Sequence, residues 1–184
     1  MSIGNHRLPP SVEEMLRRSS EIAKTTHKPF PLFSELAAVD APKPKIFIFS
    51  CIDPRADPAS FFGIGPADAL IVKNIGGHVN ANFENLIFID QFLGTLTDVL
   101  VIQHTDCGAL HITNEAIRQN LKDNDLGRKE DIDELDFGTF TSVEDQVRRN
   151  VKFIKDSPFI RDELKARTQG LAYDIKTGVV TRVV

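Results

Sequence analysis

The chain has no tryptophan, one tyrosine and two cysteines in 184 residues. Cys51 and Cys107 together make at most one disulfide, so this is not a small fold stapled by several bridges. At this length a hydrophobic core suffices without staples, and one domain over 1–184 is expected. No apolar run approaches the ~18 residues that span a bilayer. The opening stretch Met-Ser-Ile-Gly-Asn-His-Arg-Leu-Pro-Pro lacks the apolar centre of a secretory signal and the second-position glycine of a myristoylation site. A cytoplasmic, reducing location is therefore expected, where cysteines turn to metal or catalytic duty. His6 and His27 sit in this irregular N-terminal context and carry no argument. No cluster of Lys and Arg is present and the net charge is −4, so neither nucleic acid nor a membrane is an expected partner.

What is present reads as an ordinary globular composition, 41% hydrophobic and 26% charged, without internal repeats. Ser11-Val-Glu-Glu14 has capping-box spacing before a mostly apolar stripe, which predicts a helix over 12–24 within an N-terminal arm of about 11–40. Prolines 29, 31, 42 and 44 bracket an irregular connection with at most a helical turn near 32–38. Residues 45–50, 69–73 and 97–103 are apolar runs of the kind that form strands covered on both faces. Helical spacing predicts a helix over 83–94 that is largely buried, in part against another subunit, another over 109–121, one from Ser142, and a short one opened by Ser157-Pro158. Residues 122–141, rich in Asp, Glu, Lys and Gly but containing Leu135, Phe137 and Phe140, form a solvated excursion longer than a usual loop, hence functional, partly helical or clamped to a partner. Residues 170–184 read as a hairpin around Lys176-Thr-Gly178 that adds an edge strand. The alternation predicts an α/β fold with a mostly parallel sheet flanked by helices.

Two strand ends carry the chemistry. Ile46-Phe-Ile-Phe-Ser-Cys51 runs into Asp53 and Arg55, and Val99-Leu-Val-Ile-Gln103 runs into His104 and Cys107. In open α/β sheets, sites form outside the carboxyl ends of strands. Thiolate, imidazole and thiolate suit zinc, and three protein ligands with one open position is the catalytic arrangement. A Cys51–Cys107 disulfide is the plain alternative. Asp53 and Arg55 form either a surface ion pair around Pro54 or a working pair. In the second case Asp53 accepts from the metal's water, and Arg55 keeps the carboxylate ionised and off the metal. His78 and His111 are candidate proton relays, or ordinary surface histidines. Asp106 more simply orients the ligand turn. Phe61, Phe62, Phe83, Phe88 and Phe92 mark core and a subunit interface, or an apolar substrate wall.

Cys51-Ile-Asp53-Pro-Arg55, Lys73-Asn-Ile-Gly76-Gly77 and His104-Thr-Asp-Cys107-Gly108 together resemble the β-class carbonic anhydrases, most of all their short type. The resemblance covers roughly 11–120 and extends to the closing Tyr-Asp-x-x-Thr-Gly hairpin. It implies about four parallel strands with an antiparallel edge strand, assembled as a homodimer or homotetramer. It implies one Zn²⁺ per subunit on Cys51, His104 and Cys107, and Asp53 with Arg55 as the catalytic dyad. Gly76, Gly77 and Gly108 become backbone positions lining the pocket. The implied reaction is hydration of CO2 to bicarbonate by zinc-bound hydroxide, with carbonyl sulfide or carbon disulfide as alternative substrates of the same branch. Lys73 and Ile75 depart from the commoner Arg-Asn-Ala-Gly, and Ile75 either lines the pocket or packs inside. A non-catalytic zinc or redox module is the alternative from another class.

Overall fold

The structure, a computed structural model, describes residues 9–184, so His6 lies outside the described residues. The chain divides at Ala41 into two compact units. In the first, α1 (Val12–Thr25) starts where the Ser11 hydroxyl accepts from the Glu14 amide at 3.2 Å. Glu14 then reaches back-to-back arginines, Arg17 and Arg18, each at 2.7 Å. A single short helix, α2 (Phe33–Ala38), follows, its start held by the Glu35 carboxylate on the Leu32 amide. Neither helix has a buried residue.

The second unit, Pro42–Val184, is built on five strands in the order β2-β1-β3-β4-β5. They are β1 (Ile46–Cys51), β2 (Ala69–Asn74), β3 (Asp98–His104), β4 (Thr168–Tyr173) and β5 (Val180–Arg182). The first four run parallel and β5 closes the edge antiparallel to β4. Successive strand residues point to opposite faces. Phe47 and Phe49 therefore join one core, with Val99, Val101, Leu86 and Leu164, while Ile48 joins Ile102 and Leu171 on the other side. Both faces are covered, which is why β1 is apolar throughout.

The connecting helices are α3 (Pro58–Phe61), α4 (Phe83–Leu93), α5 (Asn114–Asp123), α6 (Lys129–Glu134), α7 (Val143–Asp156) and α8 (Asp162–Ala166). Ser142 caps α7 through the Asp145 amide, and Val143, Val147, Val151 and Ile154 form its buried stripe. Among the described residues no helix is long and apolar enough to cross a membrane.

Several elements differ from expectation. Helix α4 is not largely buried: Phe83, Leu86 and Asp90 face inward, while Phe88 and Phe92 stay exposed and stack on each other at 5.7 Å. The helix expected over 109–121 starts only at Asn114, because Thr113 caps it and residues 108–110 form a tight 3-10 turn. Ser157-Pro158 opens a turn rather than a helix. The Ser157 hydroxyl accepts from Phe159, and the last helix waits until Arg161 has anchored on buried Asp90 at 3.0 Å. The first arm of the predicted hairpin begins earlier, at Thr168, and is itself the fourth parallel strand.

Helix α7 can lie on β4 only because Gly170 has no side chain. A Cβ there would meet Val147 at 2.3 Å and Val184 at 2.9 Å. Gly170→Ala is expected to cost about 1–3 kcal/mol through overpacking. A lower urea midpoint at unchanged slope would show it, and an unchanged midpoint would mean the helix can slide away.

Candidate metal centre and active site

The parallel register delivers three ligands to one end of the sheet. Phe49 pairs with Val101, so β1 and β3 end together and bring Cys51 and His104 out at the same edge. After His104 the chain reverses through Asp106, a non-glycine residue at φ 54°, and returns with Cys107. The two sulfurs stand 3.8 Å apart and both cysteines are free, whereas a disulfide requires about 2.05 Å. The ligand atoms of Cys51, His104 and Cys107 all lie within 4.8 Å of one another, and all three residues are buried.

This donor set fits zinc on two counts. Tetrahedral zinc with Zn–S near 2.3 Å places two sulfurs about 3.8 Å apart, the separation observed. His104 donates its Nδ1 proton to the Thr105 carbonyl at 2.9 Å, so Nε2 carries a lone pair, and that buried Nε2 has no hydrogen-bond partner. Fixing the tautomer through the other ring nitrogen is how metal-binding histidines are oriented. The hydrogen bond from Cys107 pulls the Cys51 thiol down against the opposing effect of burial, and the same bond pushes Cys107 up.

Arg55 ties Asp53 to one side of this centre. Its Nε and Nη2 donate to the Asp53 carboxylate at 3.1 and 2.7 Å, and its backbone amide donates to Oδ1 at 2.9 Å. The same guanidinium reaches the ligand turn, donating to the Asp106 carboxylate at 2.9 Å and carbonyl at 3.1 Å. His111 completes the row, its Nε2 lying 2.9 Å from Asp106 Oδ1. The Arg55 hydrogen bond, opposed in part by burial, holds the Asp53 carboxyl down at about 2. A depressed carboxyl stabilises the folded state above its ordinary value and loses that contribution as pH falls towards its folded value. The Asp53–Arg55 pair therefore stays intact across the neutral range and gives way only in strong acid.

In front of the centre lies a cavity of about 630 Å³ lined by Cys51, Asp53, Arg55 and Cys107 on one side and by Ile52, Ile75, Ile112, Ile117, Phe137 and Thr139 around it. Gly76 and Gly108 lie on its wall. Gly77 stands behind it instead. At φ 61° its missing Cβ would sit 3.0 Å from the Cys51 amide nitrogen, so this glycine lets β2 close against β1. Ile75 is 60% exposed and faces the cavity, so it is a wall residue and not core. Lys73 pairs with Asp57 at 2.9 Å, away from the ligands. Phe61 stacks on Tyr173, Phe83 is core, and none of the five phenylalanines read as a wall lies on this cavity. The sequence marked Phe137 only as one of three apolar residues in a polar excursion, without placing it on a site, and gave no signal for Thr139.

A buried Cys-His-Cys group that could hold a metal ion thus stands at the carboxyl ends of a parallel sheet, beside an arginine-held aspartate. Residues 46–180 match the family model described as carbonic anhydrase, and the chain belongs to the β-carbonic anhydrase family. Beta-carbonic anhydrase 1 of Mycobacterium tuberculosis is 26% identical over 142 residues, covering 77% of this chain and 83% of that protein. A carbon disulfide hydrolase from Acidianus sp. is 34% identical over 74 residues, covering 40% of this chain and 36% of that one. The crystal structure of a carbonic anhydrase from Streptococcus mutans superposes with a TM-score of 0.76 at 29% identity, covering 97% of this chain and all of that one.

Cys51→Ser is expected to abolish stoichiometric zinc while leaving the sheet folded. Metal content by plasma emission and the circular dichroism spectrum check it, and full zinc retention would count against the ligand set. Arg55→Met is expected to keep zinc yet lose about 10²-fold or more in turnover, because the freed carboxylate is no longer positioned.

Proposed function

We propose that the protein is a zinc-dependent hydratase of a small heterocumulene, CO2 before carbonyl sulfide. The observation that supports this most is the combination at one point of the fold: three convergent ligands, a carboxylate held beside them by Arg55, and an apolar cavity in front. Zinc bound there would supply the Lewis acidity that makes water nucleophilic near neutral pH.

The protein's own residues supply orientation and exclusion. Asp53, held at about 2, is too weak a base to carry a proton at neutral pH. Its part is to accept a hydrogen bond from the attacking water and so aim the lone pair at the substrate carbon. Arg55 uses two of its nitrogens on that carboxylate, which leaves Asp53 little freedom to turn towards the metal. Ile52, Ile75, Ile112, Ile117 and Phe137 keep the cavity poor in water and present no group that a triatomic apolar molecule would have to displace. For CO2 the product is bicarbonate, and a proton leaves to buffer through the cavity mouth. For carbonyl sulfide the attack gives a thiocarbonate that falls to CO2 and H2S.

The apolar wall also supports the second reading, since carbonyl sulfide and carbon disulfide likewise offer little to hydrogen-bond, and relatives named carbon disulfide hydrolase accompany the carbonic anhydrases. Assembly as a homodimer or homotetramer belongs to the same proposal.

The test gives zinc-loaded protein each gas in turn, following proton release from CO2 and sulfide release from carbonyl sulfide and carbon disulfide. Fast proton release with negligible sulfide is expected. Fast sulfide release with slow CO2 hydration would transfer the assignment to the sulfur substrates, and no turnover of any would return the site to a structural role.

A further inference from the structure

His78 belongs neither to the ligand set nor to the cavity wall, yet its ring is fixed more tightly than that of an ordinary surface histidine. Its backbone is held first: the His78 amide donates to Asn74 Oδ1 at 2.7 Å, and Asn74 Nδ2 donates back to the His78 carbonyl at 2.8 Å. Its ring then bridges two distant segments. Nε2 lies 2.6 Å from the Gly138 carbonyl and Nδ1 lies 2.7 Å from Gln146 Nε2 on α7. A carbonyl oxygen only accepts, so Nε2 carries the proton and Nδ1 accepts from the Gln146 amide.

The glycines on either side have no room for anything larger. A Cβ on Gly76 would lie 2.8 Å from His78 Nε2, and one on Gly138 would lie 2.5 Å from the same atom. Both glycines have positive φ, 65° and 68°, so the backbone curls around the ring from two directions. Phe140 closes the remaining side, edge-on to the imidazole at 6.1 Å between centroids. The residues next to these contacts make the cavity. Ile75 and Gly76 form one wall, and Phe137 and Thr139, flanking Gly138, form another.

Other bonds hold the second wall on one side only. Asn114 on α5 donates to Asp136 and accepts from the Phe137 amide, and Phe140 donates to the Ala109 carbonyl. These tie residues 136–140 to the chain that follows Cys107. His78 ties the same residues to the loop that follows β2 and to α7.

We propose that His78 is a positioning residue whose ring, wedged between Gly76 and Gly138, sets the spacing between the Ile75–Gly76 and Phe137–Thr139 walls and thereby selects among small apolar substrates. The selectivity part rests on the function proposed above, while the wedge itself does not. With the ring gone, Phe137 and Thr139 are no longer held at that spacing from Ile75 and Gly76, and discrimination between oxygen- and sulfur-sized substrates should change.

The experiment compares wild type with His78→Ala and His78→Gln, each zinc-loaded and checked for metal content and for its thermal transition. Amide hydrogen exchange is read over residues 135–141, where no activity is needed. His78→Ala is expected to speed exchange in that segment by at least about tenfold, as loss of both a part-buried hydrogen bond and the ring's packing should. His78→Gln retains an N–H that can reach the Gly138 carbonyl and should recover most of the protection. In turnover, His78→Ala should change the ratio of kcat/KM for carbonyl sulfide over CO2 by about threefold or more, through KM and not kcat. Unchanged exchange in folded, zinc-loaded His78→Ala would overturn the wedge. Equal loss of kcat on both gases would overturn the selectivity role. If His78→Ala does not fold, His78→Gln paired with Gly138→Ala decides: protection kept in the first and lost in the second supports the wedge, and protection kept in both refutes it. A wild type that turns over none of the gases defeats the function proposal while leaving the exchange result to judge the wedge.

Discussion

Two buried sulfurs held 3.8 Å apart without a bond between them are the constraint on which the rest of the structure depends. Nothing local enforces that separation, since the cysteines are 56 residues apart in sequence. It comes from parallel pairing of β1 and β3, with Phe49 opposite Val101, and from the reversal at Asp106 that returns Cys107. Shifting the register by one residue would send Cys51 to the opposite face and dissolve the centre. The large apolar side chains that pin this register, Phe47, Phe49, Val99 and Val101, thus carry out the positioning that the ligands themselves cannot.

Arg55 links the metal-facing side to the turn that builds it. Its guanidinium joins the Asp53 carboxylate to the Asp106 carboxylate and carbonyl. A lysine could offer a charge there, but not a planar fork serving both groups. Half of the Arg55 side chain is in contact with solvent, so its ion pairs add little to folding stability. Its value lies in geometry and in the protonation state it imposes on Asp53.

Much of this was legible in the sequence because strong periodicity and strand-end ligands coincide. The apolar runs into Cys51 and His104 marked both central strands and three of the groups that converge. Legibility failed where tertiary contacts outvote local pattern. Helix α4 buries Phe83, Leu86 and Asp90 within this chain while Phe88 and Phe92 are exposed on it, so hydrophobicity alone does not say which contacts cover each face. Ser157-Pro158 has the right residues for a helix start, but the Ser157 hydroxyl accepts from the Phe159 amide in a turn, and the helix begins only after Arg161. Gly77 looked like its neighbour Gly76 in the motif, yet only contact with the β1 backbone shows that it serves strand closure. Phe137 stood out as apolar within a polar segment, but its place on the cavity, and that of Thr139, depends on contacts of this segment with residues distant in the chain, such as Asn114 and His78.

That placement separates two tasks along the chain. The three convergent ligands stand at the ends of β1 and β3, whereas Phe137 and Thr139 reach the cavity from the polar segment 122–141. A substitution at either of those two positions changes the size and greasiness of the chamber without touching a single ligand.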